Sequence, residues 1–169
     1  MKLSPNRGLG AALRAGFKAA AGEWIATLDA DLTFRPETLK GLLAAAEENN
    51  ADLVAGLPFL RRDDLSAVDW RRRLPSLLLN SLYRGLFGLR LTAYTPIFRL
   101  YRAARLRELS LHSEGFEINA EIAALAVSRR WRLAEVPAAL GTRSSGVSKL
   151  NGGRELARHM RLLARLLLS

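Results

Sequence analysis

Apolar positions recur along the chain in two different periods. Between residues 8 and 21, Leu9, Leu13 and Phe17 fall four apart in an alanine-rich background, which predicts a helix with one apolar face. Asn6 or Ser4 stands where a cap belongs, and Gly22 stands where a left-handed terminator belongs. Trp24 to Leu28 is a short continuous apolar run, the pattern of a buried strand, and it stops at Asp29 and Asp31. Helical spacing resumes in PETLKGLLAAAEENN, with Pro36 in the first turn and Thr33 ahead of it as a cap. Residues 51–57 predict a second buried strand. Helix, strand, helix and strand at these intervals predict an α/β fold with a parallel sheet.

Beyond residue 57 the pattern loosens. Residues 58–73 are polar and charged and read as a loop. Leu77, Leu78, Leu82, Leu86 and Leu89 predict a helix over 74–90. Residues 94–101 read as irregular and then extended, 103–109 and 114–130 as helices, and 131–137 as a strand closed by Pro137. A polar loop, GTRSSGVSKLNGG, leads to a last basic helix over 154–168. No internal repeat or low-complexity tract interrupts the chain.

A length of 169 residues suits one domain. The absence of cysteine excludes a disulfide framework, a thiolate metal site and a cysteine nucleophile. No stretch reaches the ~18 consecutive apolar residues of a membrane-spanning helix. The opening MKLSPNRGLG lacks the apolar core of a signal peptide. The net charge of +10 is uneven. Residues 1–60 carry six basic and seven acidic side chains, whereas residues 61–169 carry 20 basic and nine acidic ones. Such a balance points to phosphate-bearing partners: nucleotide, nucleic acid or lipid.

Asp29 and Asp31 place two carboxylates just past a strand, where open α/β sheets bind ligands. Carboxylates two residues apart repel unless a cation lies between them. Hard oxygen donors select Mg²⁺ or Mn²⁺, which bridge to substrate phosphates. The competing reading is a helix N-terminus, with Asp31 and Thr33 complementing the helix dipole.

A longer run narrows the choice. Asn6, Gly8, Ala12, Gly16, Ala20, Gly22, Asp29, Asp31, Pro36 and Glu37 match, in order, the centre of family 2 glycosyltransferases. The blocks FRLYR, EGFEINAEI, AEVP and TRSSGVSKL follow in the same order. The sequence most resembles the polyprenol-phosphate mannosyl- and glucosyltransferases. That resemblance implies the α/β GT-A fold, a Rossmann-like three-layer sandwich. It also implies inverting transfer of a sugar from a GDP- or UDP-sugar donor to a polyprenyl phosphate.

In the resembled enzymes the carboxylate pair holds a divalent ion, Mg²⁺ or Mn²⁺, against the donor diphosphate. This implies Asp31 as metal ligand, with Asp29 serving metal and nucleotide. Arg72 and Ser76 match an Arg and a Ser that contact phosphate, and a four-residue spacing puts both on one helix face. The loop residues Arg143, Ser144, Ser145, Ser148 and Lys149 surround Gly146 and match a loop that closes over phosphate. The implied catalytic set is Asp31, Arg143 and Lys149, with Asp29, Arg72, Ser76 and Ser148 binding substrate. Glu117 and Glu121 either border the acceptor site or form a solvated helix face, and His112 and His159 are assigned no role.

The sequence departs from the family in four places. Thr33 stands where a Gln ligand is usual, and Ala93 and Pro96-Ile97 stand in a stretch that usually reads D-x-T-x-G-F-R. Gly56-Leu57-Pro58 replaces a G-S-R, leaving Arg61 or Arg62 to substitute for its Arg. The base-binding strand that opens such domains, its helix and a second strand are not matched. Residues 1–153 are therefore expected to be a partial GT-A domain.

Residues 154–169 are expected to be its C-terminal helix, with Leu156, Met160, Leu163 and Leu167 on one stripe and Arg154, Arg158, Arg161 and Arg165 around it. Such a helix suits either an anionic membrane surface or a core with a wet face. The alternative to the enzyme is a non-catalytic basic module for anionic membrane or nucleic acid. Nucleic acid is disfavoured because no aromatic-interleaved basic stripe is present. The resembled chemistry implies a cytoplasmic location, peripheral at the inner membrane face.

Overall fold

The computed structural model describes residues 7–30, 34, 36–57, 70–138 and 152–168, and for 70–75 the backbone alone. Helix α1 (Gly8–Ala19) leads into strand β1 (Trp24–Thr27). A 3-10 turn (Pro36–Thr38) opens α2 (Leu39–Glu48), which is followed by β2 (Leu53–Leu57). Then come α3 (Trp70–Phe87), β3 (Arg99–Arg102) and the short α4 (Ala103–Arg107). The chain continues through α5 (Ile118–Ser128), β4 (Leu133–Pro137) and α6 (Gly152–Leu168).

The four strands form one sheet in the order β1-β3-β2-β4. β2 and β4 are parallel, but β3 runs antiparallel to both β1 and β2. The expected all-parallel sheet is therefore corrected to a mixed one. Strands β1 and β2 do point the same way, as a β-α-β reading requires, but β3 lies between them. Only pairing with partners distant in sequence could have shown this, because RLYR is four residues long. Two local expectations are corrected as well. Residues 70–73 belong to α3 rather than to a loop. Helix α1 ends at Ala20 in extended geometry, its N–H on Gly16 O at 2.9 Å, without a left-handed Gly22.

Strand alternation sorts the sheet into two faces. Ile25, Leu53, Ala55, Leu57 and Tyr101 face a core shared with α1, α3, α5 and α6. Val54, Phe98 and Leu100 face α2 and Phe34. The result is three layers. Helix α5 is buried on nearly every side, so its sequence INAEIAALAVS is apolar all round rather than in a stripe. On the α2 side Phe98 stacks on Phe34 with ring centroids 4.6 Å apart, and its ring occupies the space a side chain at Gly56 would need. At the sheet's other end Asp52 is 2% exposed and binds Arg132 at 3.2 Å, with Arg102 at 3.5 Å and Arg105 at 3.7 Å. Burial pushes its carboxyl pKa up, but the Arg132 hydrogen bonds and the Arg132 and Arg105 charges outweigh this and hold it below the usual value.

The first turn of α1 presses directly on the segment before α5. Gly8 takes a φ of +87°, and the Gly10 N–H donates to Glu114 O at 2.7 Å. A Cβ at Gly10 would run into the backbone of Ser113 and Glu114. Backbone cannot swing aside as a flexible side chain can. Gly10→Ala is expected to lower stability by roughly 1–3 kcal/mol in denaturant unfolding, the usual cost of overpacking.

Candidate functional site at the carboxyl edge of the sheet

The carboxyl ends of β1, β2 and β4 lie at one edge of the sheet, with the amino end of β3 among them. Asp29, half-buried, stands two residues beyond β1 at this edge. Thr27 pairs with Arg99 of β3, and its hydroxyl donates to Ile97 O. Asp29 is therefore carried where an open α/β sheet presents its ligands, and its oxygens suit a hard cation. Asp31 and Thr33 lie outside the described residues, as do Arg61, Arg62 and the loop bearing Arg143, Ser144, Ser145, Ser148 and Lys149. Among the described residues no three His, Cys, Asp or Glu side chains converge to hold a metal.

Arg72 and Ser76 both lie on α3, four residues apart as expected. Ser76 is exposed, and its carbonyl and hydroxyl accept from Asn80 Nδ2 at 2.8 and 3.3 Å. Asn80 in turn accepts the N–H groups of Tyr94 at 2.7 Å and Thr95 at 3.3 Å. It thus clamps α3 to the segment that leads into β3. Sequence reading assigned Asn80 nothing, because nothing local distinguishes a polar residue between leucines from a solvated one.

Arg99 holds the same segment from the other side. Its side chain is wholly buried. It donates to Asn119 O at 2.6 Å, Tyr94 O at 2.8 Å and Ala93 O at 3.5 Å. Among the described residues no carboxylate lies within ion-pair distance of it. The first turn of α5 is thereby tied to the Thr27 end of β1.

Glu117 and Glu121 are 5% and 1% exposed, so the solvated-face reading of both is corrected. Glu117 Oε1 accepts the N–H groups of Glu114 and Gly115 at 3.1 and 3.0 Å. Glu121 accepts those of His112 and Ser113 at 3.0 and 2.9 Å, and pairs with Arg165 of α6 at 2.8 Å. Their carboxylates supply acceptors to a segment that has no strand partner.

His159, also unassigned from sequence, is buried in α6 with its Nδ1 2.9 Å from the Tyr83 hydroxyl of α3. Burial, with the Glu117 and Glu121 charges adding to it, raises the Tyr83 pKa far above normal, so the phenol keeps its proton. Burial lowers the His159 pKa below 6.5 against the opposing charges of Glu117 and Glu155. As pH falls below about 6.5, an unfolded His159 takes up a proton that the buried ring resists. Stability should therefore decline from that pH down to the folded pKa. His159→Phe should flatten this part of a melting-temperature profile measured between pH 5 and 8.

The core-facing stripe of α6 is His159, Leu162 and Leu163, whereas Leu156, Met160 and Leu167 are exposed. The expected single apolar stripe is thus corrected to two, one in the core and one open. On α3, Leu77, Leu78, Leu82 and Leu86 are also exposed. No helix among the described residues is long and apolar enough to cross a membrane.

Known proteins resemble this chain in sequence or in fold. The dodecaprenyl-phosphate galacturonate synthase of Rhizobium johnstonii is 31% identical over 150 residues, covering 88% of this chain and 43% of that protein. The polyprenol monophosphomannose synthase of Mycolicibacterium smegmatis is 31% identical over 158 residues, covering 90% and 59%. The chain thus spans about half the length of these relatives. The glucosyl-3-phosphoglycerate synthase of Mycobacterium tuberculosis in complex with UDP superposes with a TM-score of 0.67 at 22% identity, covering 96% of this chain and 55% of that one. The same enzyme with Mn²⁺, UDP-glucose and phosphoglyceric acid gives 0.66 at 18% identity, with 99% and 55% covered. These likenesses support the mixed α/β fold of GT-A glycosyltransferases. Residues 1–110, from the glycine-rich start of α1 through β1, Asp29, β2 and β3, match the family described as glycosyl transferase family 2, and to that family the chain belongs.

Proposed function

We propose that this chain carries the metal- and acceptor-binding part of a glycosyltransferase that moves a sugar from a GDP- or UDP-sugar to a polyprenyl phosphate, with inversion. The observation that carries this reading is the likeness, over about 90% of the chain, to two polyprenol-phosphate sugar synthases. The position of Asp29 at the carboxyl edge of β1 supports it. Asp29 and Asp31 would hold Mg²⁺ or Mn²⁺. A bound divalent ion spreads the charge of the departing nucleoside diphosphate. Relatives of the fold crystallise with Mn²⁺ or Mg²⁺ and UDP, which favours the same use here.

Arg72 and Ser76 on α3 bind phosphate in this reading, and Ser148 joins them from the loop. Arg143 and Lys149 position the reacting phosphates. The acceptor phosphate is already an anion, so positioning and charge stabilisation carry the reaction without a strong general base. Residues 1–153 and the helix 154–169 form one domain, a reading supported by Leu162 and Leu163 of α6 in the shared core.

Calorimetric titration with GDP- and UDP-sugars, with and without Mn²⁺, tests the proposal. Saturable binding that needs the metal is expected. Absence of nucleotide binding would reject the reading for this chain.

The exposed leucines of α3 and α6, set among arginines, favour an anionic membrane surface as the place of action, peripheral and on the cytoplasmic face. Co-sedimentation with anionic but not neutral liposomes is expected. Salt-sensitive binding to RNA in its place would favour the non-catalytic basic module.

A further inference from the structure

Asp29 stands between two residues that are both tied to the entry of β3. Before it, Thr27 is buried and its hydroxyl donates to Ile97 O. After it, Phe34 is buried and stacks on Phe98, with ring centroids 4.6 Å apart and planes 10° from parallel. Ile97 and Phe98 are consecutive residues, and β3 begins at the next one. Phe98 is itself held firmly. Its side chain is wholly buried, its carbonyl accepts the Gly56 N–H of β2 at 3.0 Å, and its ring fills the space above Gly56. Leu28, next to Asp29, packs against the same apolar cluster as Phe34 and Phe98.

The pairing of β1 with β3 ends at Thr27, so the ladder alone does not fix a side chain two residues further on. A segment tied at one end keeps many conformations, whereas one tied at both ends loses most of them on folding. A carboxylate ordered in advance gives up less freedom when it takes a cation, and so binds it more tightly. The two ties differ in chemistry, one a hydrogen bond and the other a ring stack. They can therefore be removed separately.

We propose that Thr27 and Phe34 are positioning residues, which fix Asp29 at the carboxyl edge by tying its segment to Ile97 and Phe98. The proposal rests on the reading of Asp29 as a metal ligand, and both residues act through Asp29 rather than on the ion.

Two measurements on the full chain test it: amide hydrogen exchange without metal, and Mn²⁺ titration followed by the electron paramagnetic resonance of the free ion. Phe34→Leu keeps most of the buried volume but loses the stacked face. Thr27→Val keeps the shape but loses the donor, and stands as the second variant should the first unfold. Each should speed exchange at Leu28, Asp29 and Ala30 at least about 10-fold, and weaken Mn²⁺ binding by about 10-fold. Gly10→Ala, which strains the packing of α1 on the segment before α5, should lower the melting temperature and leave both readouts unchanged. A loss of metal affinity that merely follows stability would appear there too, and would overturn the proposal. Unchanged exchange at residues 28–30 in both variants would overturn it, as would faster exchange with unchanged Mn²⁺ affinity. Failure of the metal reading itself shows in the wild-type chain, as no Mn²⁺ uptake at all, and that result removes the positioning role along with the ligand.

Discussion

Asp31→Ala should abolish metal-dependent nucleotide-sugar binding, weakening it at least about 100-fold, or ~2.7 kcal/mol. In the proposed reading Asp31 would be one of two carboxylates holding a divalent ion, and this variant would remove both a charged ligand and the charge that draws the ion in. Asp29→Ala should weaken binding as well. Asp29 stands nearer the strand, two residues beyond β1, so its effect should extend to the nucleotide in the absence of metal. Calorimetry across a Mn²⁺ series separates the two effects. Loss of affinity only in the presence of Mn²⁺ marks a metal ligand, and loss in its absence marks a nucleotide contact. Equal affinity in wild type and Asp31→Ala would remove Asp31 from the metal site.

The second large effect concerns Arg99. Arg99→Leu should destabilise the fold by about 2–5 kcal/mol through the acceptors it leaves unsatisfied. The guanidinium is fully buried and serves the carbonyls of Asn119, Tyr94 and Ala93. A leucine would leave those acceptors unsatisfied, at ~1–3 kcal/mol for each one that stays dry. The effect should reach the candidate site, because these contacts join the start of β3 to the first turn of α5. Among the described residues no carboxylate pairs with this buried cation, and the half-buried Ala93 stands where the resembled family carries Asp. Ala93→Asp should therefore raise the melting temperature, and should no longer do so in the Arg99→Leu background. That double-variant comparison distinguishes a new ion pair from an unrelated surface effect.

The legible part of the fold was what short-range patterning encodes. Leu9, Leu13 and Phe17 marked α1, the run from Trp24 marked β1, and Pro36 marked the turn that opens α2. The order of motifs, from Gly8 to Asp29 and on to FRLYR, identified the family. Where each strand ended was also legible, so the placing of Asp29 beyond β1 followed from hydrophobicity alone.

Partners distant in sequence were not legible, and most corrections arose there. RLYR reads the same in a parallel or an antiparallel strand, so its insertion between β1 and β2 depended on pairing across the sheet. Glu117 and Glu121, four apart on a helix, have the spacing of a wet face. They are buried because backbone N–H groups at residues 112–115 and Arg165 wait for acceptors. His159 and Asn80 carry no local mark of their roles, since each is set by a side chain or a turn on another element. The sequence by itself determined most of the elements and the family, because those depend on neighbours within a few residues. The tertiary structure alone decided the mixed sheet, the buried polar ties and the seating of Phe34 on Phe98. There, the energy of each group depends on what the folded chain brings within hydrogen-bond reach.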